Sequence, residues 1–351
     1  LVWMVDPLRR DHLKIYNPKT RVKTPNLDAL AARGVVFDDA IVPGAHSIPS
    51  HASILSGLFP EVHRHETEKS RLGRKLPLLS TIFKKAGWRT LLLASNGYVS
   101  KRWGFHRDFH DYKNFIRDNE PNQADKFWRW LEPWIVKNKD ERFFAYLNPS
   151  DPHVTYRYRD GYTTLYDPKP YNGRVPKNAT GFFLEKVLTK KVKLNARDKE
   201  RLEAQYDGEI TFNDEYLGKM VKKLEELGIL EDTLIVIMSD HGDEFDEHGR
   251  FGHGHSLYSE LIRVPLIFIH PRTLPEGLRV YQTVNAFDAA STLLSITGLQ
   301  IPESFQSADL LHVIRNHKVL PPRPAFAKMG KVQMAVHLGR HKMLLRHGAD
   351  Y

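Results

Sequence analysis

Five short apolar runs constrain what this chain folds into. Residues 1–5, 90–94, 143–147, 234–238 and 264–269 are each too short for a helix, and segments of helical periodicity lie between them. Such runs read as strands buried on both faces. Between the first two, Thr24 can cap a helix with Pro25 in its first turn; Leu27, Leu30 and Ala31 share its face and Gly34 closes it. Leu79, Ile82 and Phe83 form a second helical face that ends at Gly87. Phe127, Trp130, Leu131 and Trp134 mark a helix over residues 123–137, and Leu217, Met220, Val221, Leu224 and Leu227 mark another, broken by Gly228. A final helix is expected over residues 286–296. This βα alternation predicts an α/β fold, a mostly parallel central sheet flanked by helices.

Two stretches depart from the rhythm. Residues 154–196 are rich in Tyr, Lys, Gly and Pro with little periodicity, which reads as a long surface insertion in a catalytic domain of residues 1–320. After Pro321, Pro322 and Pro324, short strand-like pieces around Ala325, at 333–338 and at 342–345 predict a small antiparallel C-terminal appendage over 321–351. A length of 351 residues suits one large domain or one large plus one small. The longest apolar run is far short of the roughly 20 residues that cross a bilayer, so no membrane span is expected. The sequence opens on Leu1 already within an apolar run, which leaves any leader and the compartment open.

A formal net charge of +10 favours an anionic partner. Nucleic acid is not expected, because the basic residues fall in scattered pairs such as Lys84–Lys85 and Lys190–Lys191, not in blocks. With no cysteine, thiol nucleophiles and zinc–thiolate sites are excluded.

Ligands of open α/β sheets bind beyond the carboxyl ends of the strands. The residues there are polar: Asp6 after the first run, Asp151 and His153 after the third, Asp240 and His241 after the fourth. Each taken alone reads as a turn or cap residue; two aspartates and an imidazole on separate strand ends also suit one divalent cation. Ser47 stands where a turn feeds a helix, at an N-terminus that favours an anion, or simply as that helix's cap.

The stretches Asp6-Pro7-Leu8-Arg9-Arg10-Asp11-His12, Thr24-Pro25-Asn26-Leu27, Ser47-Ile48-Pro49-Ser50-His51-Ala52-Ser53-Ile54-Leu55-Ser56-Gly57 and Ser239-Asp240-His241-Gly242 occur in that order. With Asp151-Pro152-His153, Glu247-His248-Gly249 and Gly252-His253-Gly254, the chain resembles the sulfatase family of the alkaline phosphatase superfamily, from Leu1 to about Gly298. The resemblance implies that Asp6, Asp240, His241 and the Ser47 oxygen hold one divalent metal and that Ser47 is the nucleophile. It implies that His153 or His253 protonates the leaving group, and that His51 and Arg9 contact the substrate. Its substrate would be an anionic sulfate or phosphate ester.

Three departures from the family pattern carry meaning. Sulfatases that convert Cys or Ser to formylglycine have an arginine four residues on; here His51 stands there, which makes formylglycine at Ser47 doubtful. Pro7 replaces a second acid and His241 replaces an asparagine, so the metal shell has fewer oxygens. An Asp, Asp, His and alkoxide set suits manganese or zinc better than calcium, which remains possible. The histidine-rich site with an unmodified serine resembles relatives that act on phosphate and phosphonate esters. Two other functions are open at this point: transfer of the phospho group from Ser47 to an acceptor alcohol, and non-catalytic binding of anionic polymers. Oligomeric state is not legible.

Overall fold

In the computed structural model, which describes residues 1–316, 321–330 and 333–346, the apolar runs assemble into one nine-stranded mixed sheet. We label its main strands β1 (Val2–Val5), β2 (Val35–Ile41), β3 (Arg89–Ala94), β4 (Asp111–Asn114), β5 (Phe143–Asn148), β6 (Ile235–Ser239), β7 (Leu266–Ile269) and β8 (Leu278–Asn285). The spatial order from β2 is β7, β6, β1, β5, β3, β4; β8 and the short Arg263–Val264 strand both pair with β2. The pairs β6–β1, β1–β5, β5–β3, β3–β4 and β8–β2 are parallel.

The sequence expectation of one further strand over residues 264–269 needs correction. Pro265 divides that run, leaving Arg263–Val264 and β7 as separate strands, both antiparallel to β2. Proline has no N–H to give the ladder, so the run cannot pair continuously. β2, β4 and β8 were not anticipated. β2 and β4 carry acids (Asp38, Asp39, Asp111) and half of β8 is polar, which interrupts the continuous apolar run that marks a strand buried on both faces, although β2 itself lies between paired strands and is largely buried.

The central strands bury both faces. Val2, Met4, Phe144, Tyr146, Val236 and Met238 enter one apolar cluster; Leu1, Trp3, Val5, Ala145, Leu147, Ile235 and Ile237 enter the other. Helices α2 (Ser47–Ser56), α3 (Leu79–Lys85) and α6 (Ala289–Ile296) pack on the first face, and α1 (Pro25–Ala32), α4 (Ala124–Asn138) and α5 (Ala196–Glu226) on the second. No described helix is long and apolar enough to cross a membrane.

The predicted antiparallel appendage is present as β9 (Ala325–Met329), β10 (Gln333–Leu338) and β11 (His341–Arg346). Its residues 331–332 and 347–351 lie outside the described residues. Ala325, Ala327 and Ala335 are buried with the first cluster, so the appendage packs on the main core. Residues 154–196 form an ordered lobe, not a bare loop: Tyr156–Arg157 pairs with Asn178–Ala179, and a helix follows at Gly181–Leu188. Polar contacts clamp the lobe to α5. Arg159 pairs with Glu209 at 2.8 Å, Arg197 with Asp167 at 2.6 Å, and the Tyr171 hydroxyl donates to Asp198 at 2.6 Å. These partners are 27 to 50 residues apart in sequence, which is why local periodicity does not reveal the lobe.

Candidate active site

Parallel pairing brings the carboxyl ends of β6, β1, β5 and β3 to one edge: Val5 is level with Ser239, and Ala94 with Asn148. The residue after β1, Asp6, is fixed there by its backbone N–H donating to Pro149 O at 3.1 Å. Asp240 and His241 follow β6. Gly242 continues that turn because a Cβ there would sit 2.0 Å from the backbone oxygen of Glu260, a contact no side chain tolerates.

Ser47 is the first residue of α2, a helix buried along its whole length. Its Oγ lies 3.3 Å from His241 Nε2 and accepts from Asn96 Nδ2 at 2.8 Å. The same Asn96 amide donates to Asp6 Oδ2 at 2.5 Å. Ligand atoms of Asp6, Asp240 and His241 lie within 4.8 Å of one another. The three residues and Ser47, distant in sequence, therefore meet.

The donor set fits a cation on an independent ground. Asp6 Oδ1 and Asp240 Oδ1 are buried without a hydrogen-bond partner, and Asp240 Oδ2 has the His51 imidazole, 3.2 Å away, beside it. Buried anionic oxygens left bare are costly, and a divalent ion is the usual remedy. Burial raises the Asp240 pKa, but the imidazoles of His241 and His51 overcome it and hold the group well below the ordinary carboxylate range. Burial also lowers His241, against the pull of Asp240, which keeps its nitrogen neutral and able to ligate.

Two histidines stand on the approach. The ring centroids of His253 and His241 are 4.2 Å apart, and those of His153 and His253 are 5.0 Å apart. His253 Nδ1 contacts Asp243 Oδ1 at 2.5 Å, while the Tyr156 hydroxyl donates to Asp243 Oδ2 at 2.6 Å. Burial lowers the His253 pKa, but Asp243 outweighs it and the net shift is upward. His153 Nδ1 meets Val154 O at 2.7 Å. Each imidazole thus has one nitrogen engaged and Nε2 left for chemistry.

Two residues expected at the substrate are placed elsewhere. His51 is fully buried: Nδ1 meets the Tyr146 hydroxyl at 2.7 Å and Nε2 lies 3.2 Å from Asp240 Oδ2. It orients the metal-site carboxylate and does not reach the cleft. Arg9 is also buried, with Nε and Nη2 forking onto Asp11 at 3.0 and 2.7 Å and Nη1 on Asp243 O and Glu247. Its fork ties the first strand-end loop to the loop carrying Asp243. Asp151 caps α4 by accepting from Ala124 N–H and Asn213 Nδ2, the plain turn-and-cap role. His12, His63, His248 and His255 are engaged by Asp207, Ser53, Glu260 and Glu244 respectively, outside the serine's contacts.

The sequence reading missed Asn96, Asp243 and Tyr146. Asn96 carried a usable signal, since it lies two residues beyond β3 and the strand-end rule that found Asp6 applies to it equally.

A family description, Sulfatase, matches residues 1–299. The chain is 27% identical to an arylsulfatase of Clostridium perfringens, covering 89% of this chain and 77% of that protein. It is 25% identical to an ulvan-active sulfatase of Formosa agariphila, over 86% of this chain but 62% of that longer protein. Among solved structures, a phosphonate monoester hydrolase from Silicibacter pomeroyi superposes with a TM-score of 0.78 at 21% identity, over 100% of this chain and 89% of that one.

Proposed function

This chain belongs to the sulfatase family, and from that premise we propose that it hydrolyses a sulfate or phosphate ester through a covalent adduct on Ser47. The observation that carries the proposal is that His241 and Asn96 meet the Ser47 oxygen at the sheet edge while the ligand atoms of Asp6 and Asp240 cluster with His241. Arylsulfatase and phosphonate monoester hydrolase relatives leave both ester types open.

Asp6, Asp240, His241 and the Ser47 oxygen would hold a divalent metal; manganese or zinc suits the donor set better than calcium. Bound there, such an ion lowers the pKa of the serine hydroxyl and neutralises charge that develops on the transferred group. Ser47 Oγ, its hydroxyl proton already released to solvent, attacks the sulfur or phosphorus while the bond to the alcohol oxygen breaks. His253 or His153 gives its Nε2 proton to that leaving oxygen. Water then attacks the adduct, returns a proton to the same imidazole and frees Ser47. Asn96 holds the serine oxygen in line and His51 holds Asp240. An unmodified Ser47 is part of the proposal, since the fourth residue on is His51 and not the arginine that accompanies formylglycine conversion.

The test is turnover of 4-nitrophenyl sulfate, 4-nitrophenyl phosphate and a phenylphosphonate ester by purified protein, with metal analysis and mass spectrometry of the Ser47 peptide. The proposal requires turnover of at least one ester, its loss on chelation with recovery on adding manganese or zinc, and a sulfuryl or phosphoryl increment on Ser47 after acid quench. Turnover that persists in Ser47→Ala would sink it.

A further inference from the structure

We infer that Tyr146 is a positioning residue of the metal site: its hydroxyl fixes the His51 imidazole, and through it Asp240, against the helix that carries Ser47. The inference rests on the metal-dependent reading above and adds to it a residue outside the ligand set.

Tyr146 lies on β5 with no exposed surface, and its neighbours in the register are apolar, Val2 on β1 and Leu92 on β3. It joins the first apolar cluster beside Phe144, so packing alone asks only for a phenyl ring there. The hydroxyl needs a separate reason, since a buried phenol O–H without a partner is costly. Among the described residues its hydrogen-bond partner is His51 Nδ1 at 2.7 Å, and the two rings meet edge to face with centroids 5.8 Å apart. The other nitrogen of that imidazole, Nε2, lies 3.2 Å from Asp240 Oδ2. Tyr146, His51 and Asp240 are all fully buried.

The direction of donation follows from the carboxylate end. An ionised carboxylate only accepts, so Nε2 carries the ring proton toward Asp240. Nδ1 of a neutral imidazole then presents a lone pair, and the Tyr146 hydroxyl is the donor that meets it. Without that hydroxyl, no polar contact on the far side of the ring sets its plane. His51 follows Ser47 by one turn of α2, so the two side chains share a face of that helix. The relay joins β5, α2 and the end of β6 at the point where serine and carboxylate are to share one ion. Groups that hold a metal-bound carboxylate set its direction and basicity, and losing one costs about 10- to 100-fold in metal affinity.

The experiment is calorimetric titration of manganese and of zinc into metal-stripped protein, comparing wild type with Tyr146→Phe, His51→Leu, His51→Gln and Tyr166→Phe. Tyr166 controls for the loss of a tyrosine hydrogen bond, since its hydroxyl serves Thr211 and the Lys23 N–H outside the site. Tyr146→Phe and His51→Leu should each raise Kd about 10- to 100-fold. His51→Gln keeps an N–H for Asp240 and should stay within about 10-fold of wild type, and Tyr166→Phe should match wild type. Melting temperatures of the metal-free proteins identify a merely structural role, which would lower both tyrosine variants and leave Kd alone. On a 4-nitrophenyl ester at saturating metal, Tyr146→Phe should lose kcat with KM held. A Tyr146→Phe Kd within about 3-fold of wild type overturns the inference. Should that variant not fold, equal Kd values for His51→Leu and wild type overturn it instead. If wild type binds neither ion, the metal site and this role fall together; if the affinity pattern holds and no ester is cleaved, the hydrolase reading falls and the role of Tyr146 stands.

Discussion

The strand-end site and the lobe of residues 154–196 sit on either side of one cleft and are built in opposite ways. Around Ser47 every chemical group is buried, at most 6% exposed from Asp6 to Asn96, and its position follows from sheet register. Across the cleft, His153 and Arg157 are half-buried and held by a lobe whose own anchors are salt bridges and tyrosine hydroxyls on α5. The contrast separates a buried constellation at the strand ends, where about 0.5 Å of misplacement would be costly to the proposed chemistry, from a cleft wall that can vary without disturbing it.

Four substitutions break or sharpen that contrast. The largest effect is expected at Ser47→Ala, which should reduce kcat by at least about 10⁴-fold with little change in melting temperature, since one hydroxyl is lost from a packed helix. Retained turnover would move the nucleophile elsewhere. Asn96→Ala removes the amide shared by Ser47 and Asp6, and we expect roughly 10- to 100-fold in kcat with KM nearly unchanged. A KM effect alone would make Asn96 a wall residue.

Arg9→Lys tests whether this residue is a strut. Lysine keeps the charge but cannot fork onto Asp11 while reaching Asp243 O and Glu247, so unfolding stability should fall by about 2 kcal/mol with KM held. Denaturant midpoints read that directly; a raised KM at unchanged stability would restore the substrate-contact role.

The smallest effect concerns the lobe's anchor. Glu209 is buried, which pushes its pKa up to about 8 despite the opposing Arg159, with Asp151 adding to the rise. The unfolded group titrates near about 4.3, so between these values the folded state holds the extra proton and stability falls as pH rises toward 8. Melting temperature followed over that window should decline in the wild type and decline less in Glu209→Gln. Parallel curves would mean that the Arg159 pair keeps Glu209 ionised throughout.

The sequence made the residues at the strand ends legible because strand ends are local features. An apolar run followed by Asp6, or by Asp240 and His241, announces both the strand and the residue at its mouth. Asn96, two residues beyond β3, is legible by the same rule. The roles of His51 and Arg9 were not legible. Motif position put both near substrate, whereas their partners Tyr146, Asp240, Asp243 and Glu247 lie 95 to 238 residues away, and only the packed molecule brings those partners to them.

By itself, then, the sequence determined the alternation of buried strands and amphipathic helices, the antiparallel C-terminal sheet and the residues that stand at the strand mouths. Those follow from side-chain periodicity and chain connectivity, which act over a few residues. The tertiary structure decided which of those residues meet near Ser47, that β7 runs antiparallel, and that residues 154–196 form an anchored lobe. Each of these depends on distances between segments far apart in the chain, and such distances are fixed only when the two apolar faces of the sheet are covered.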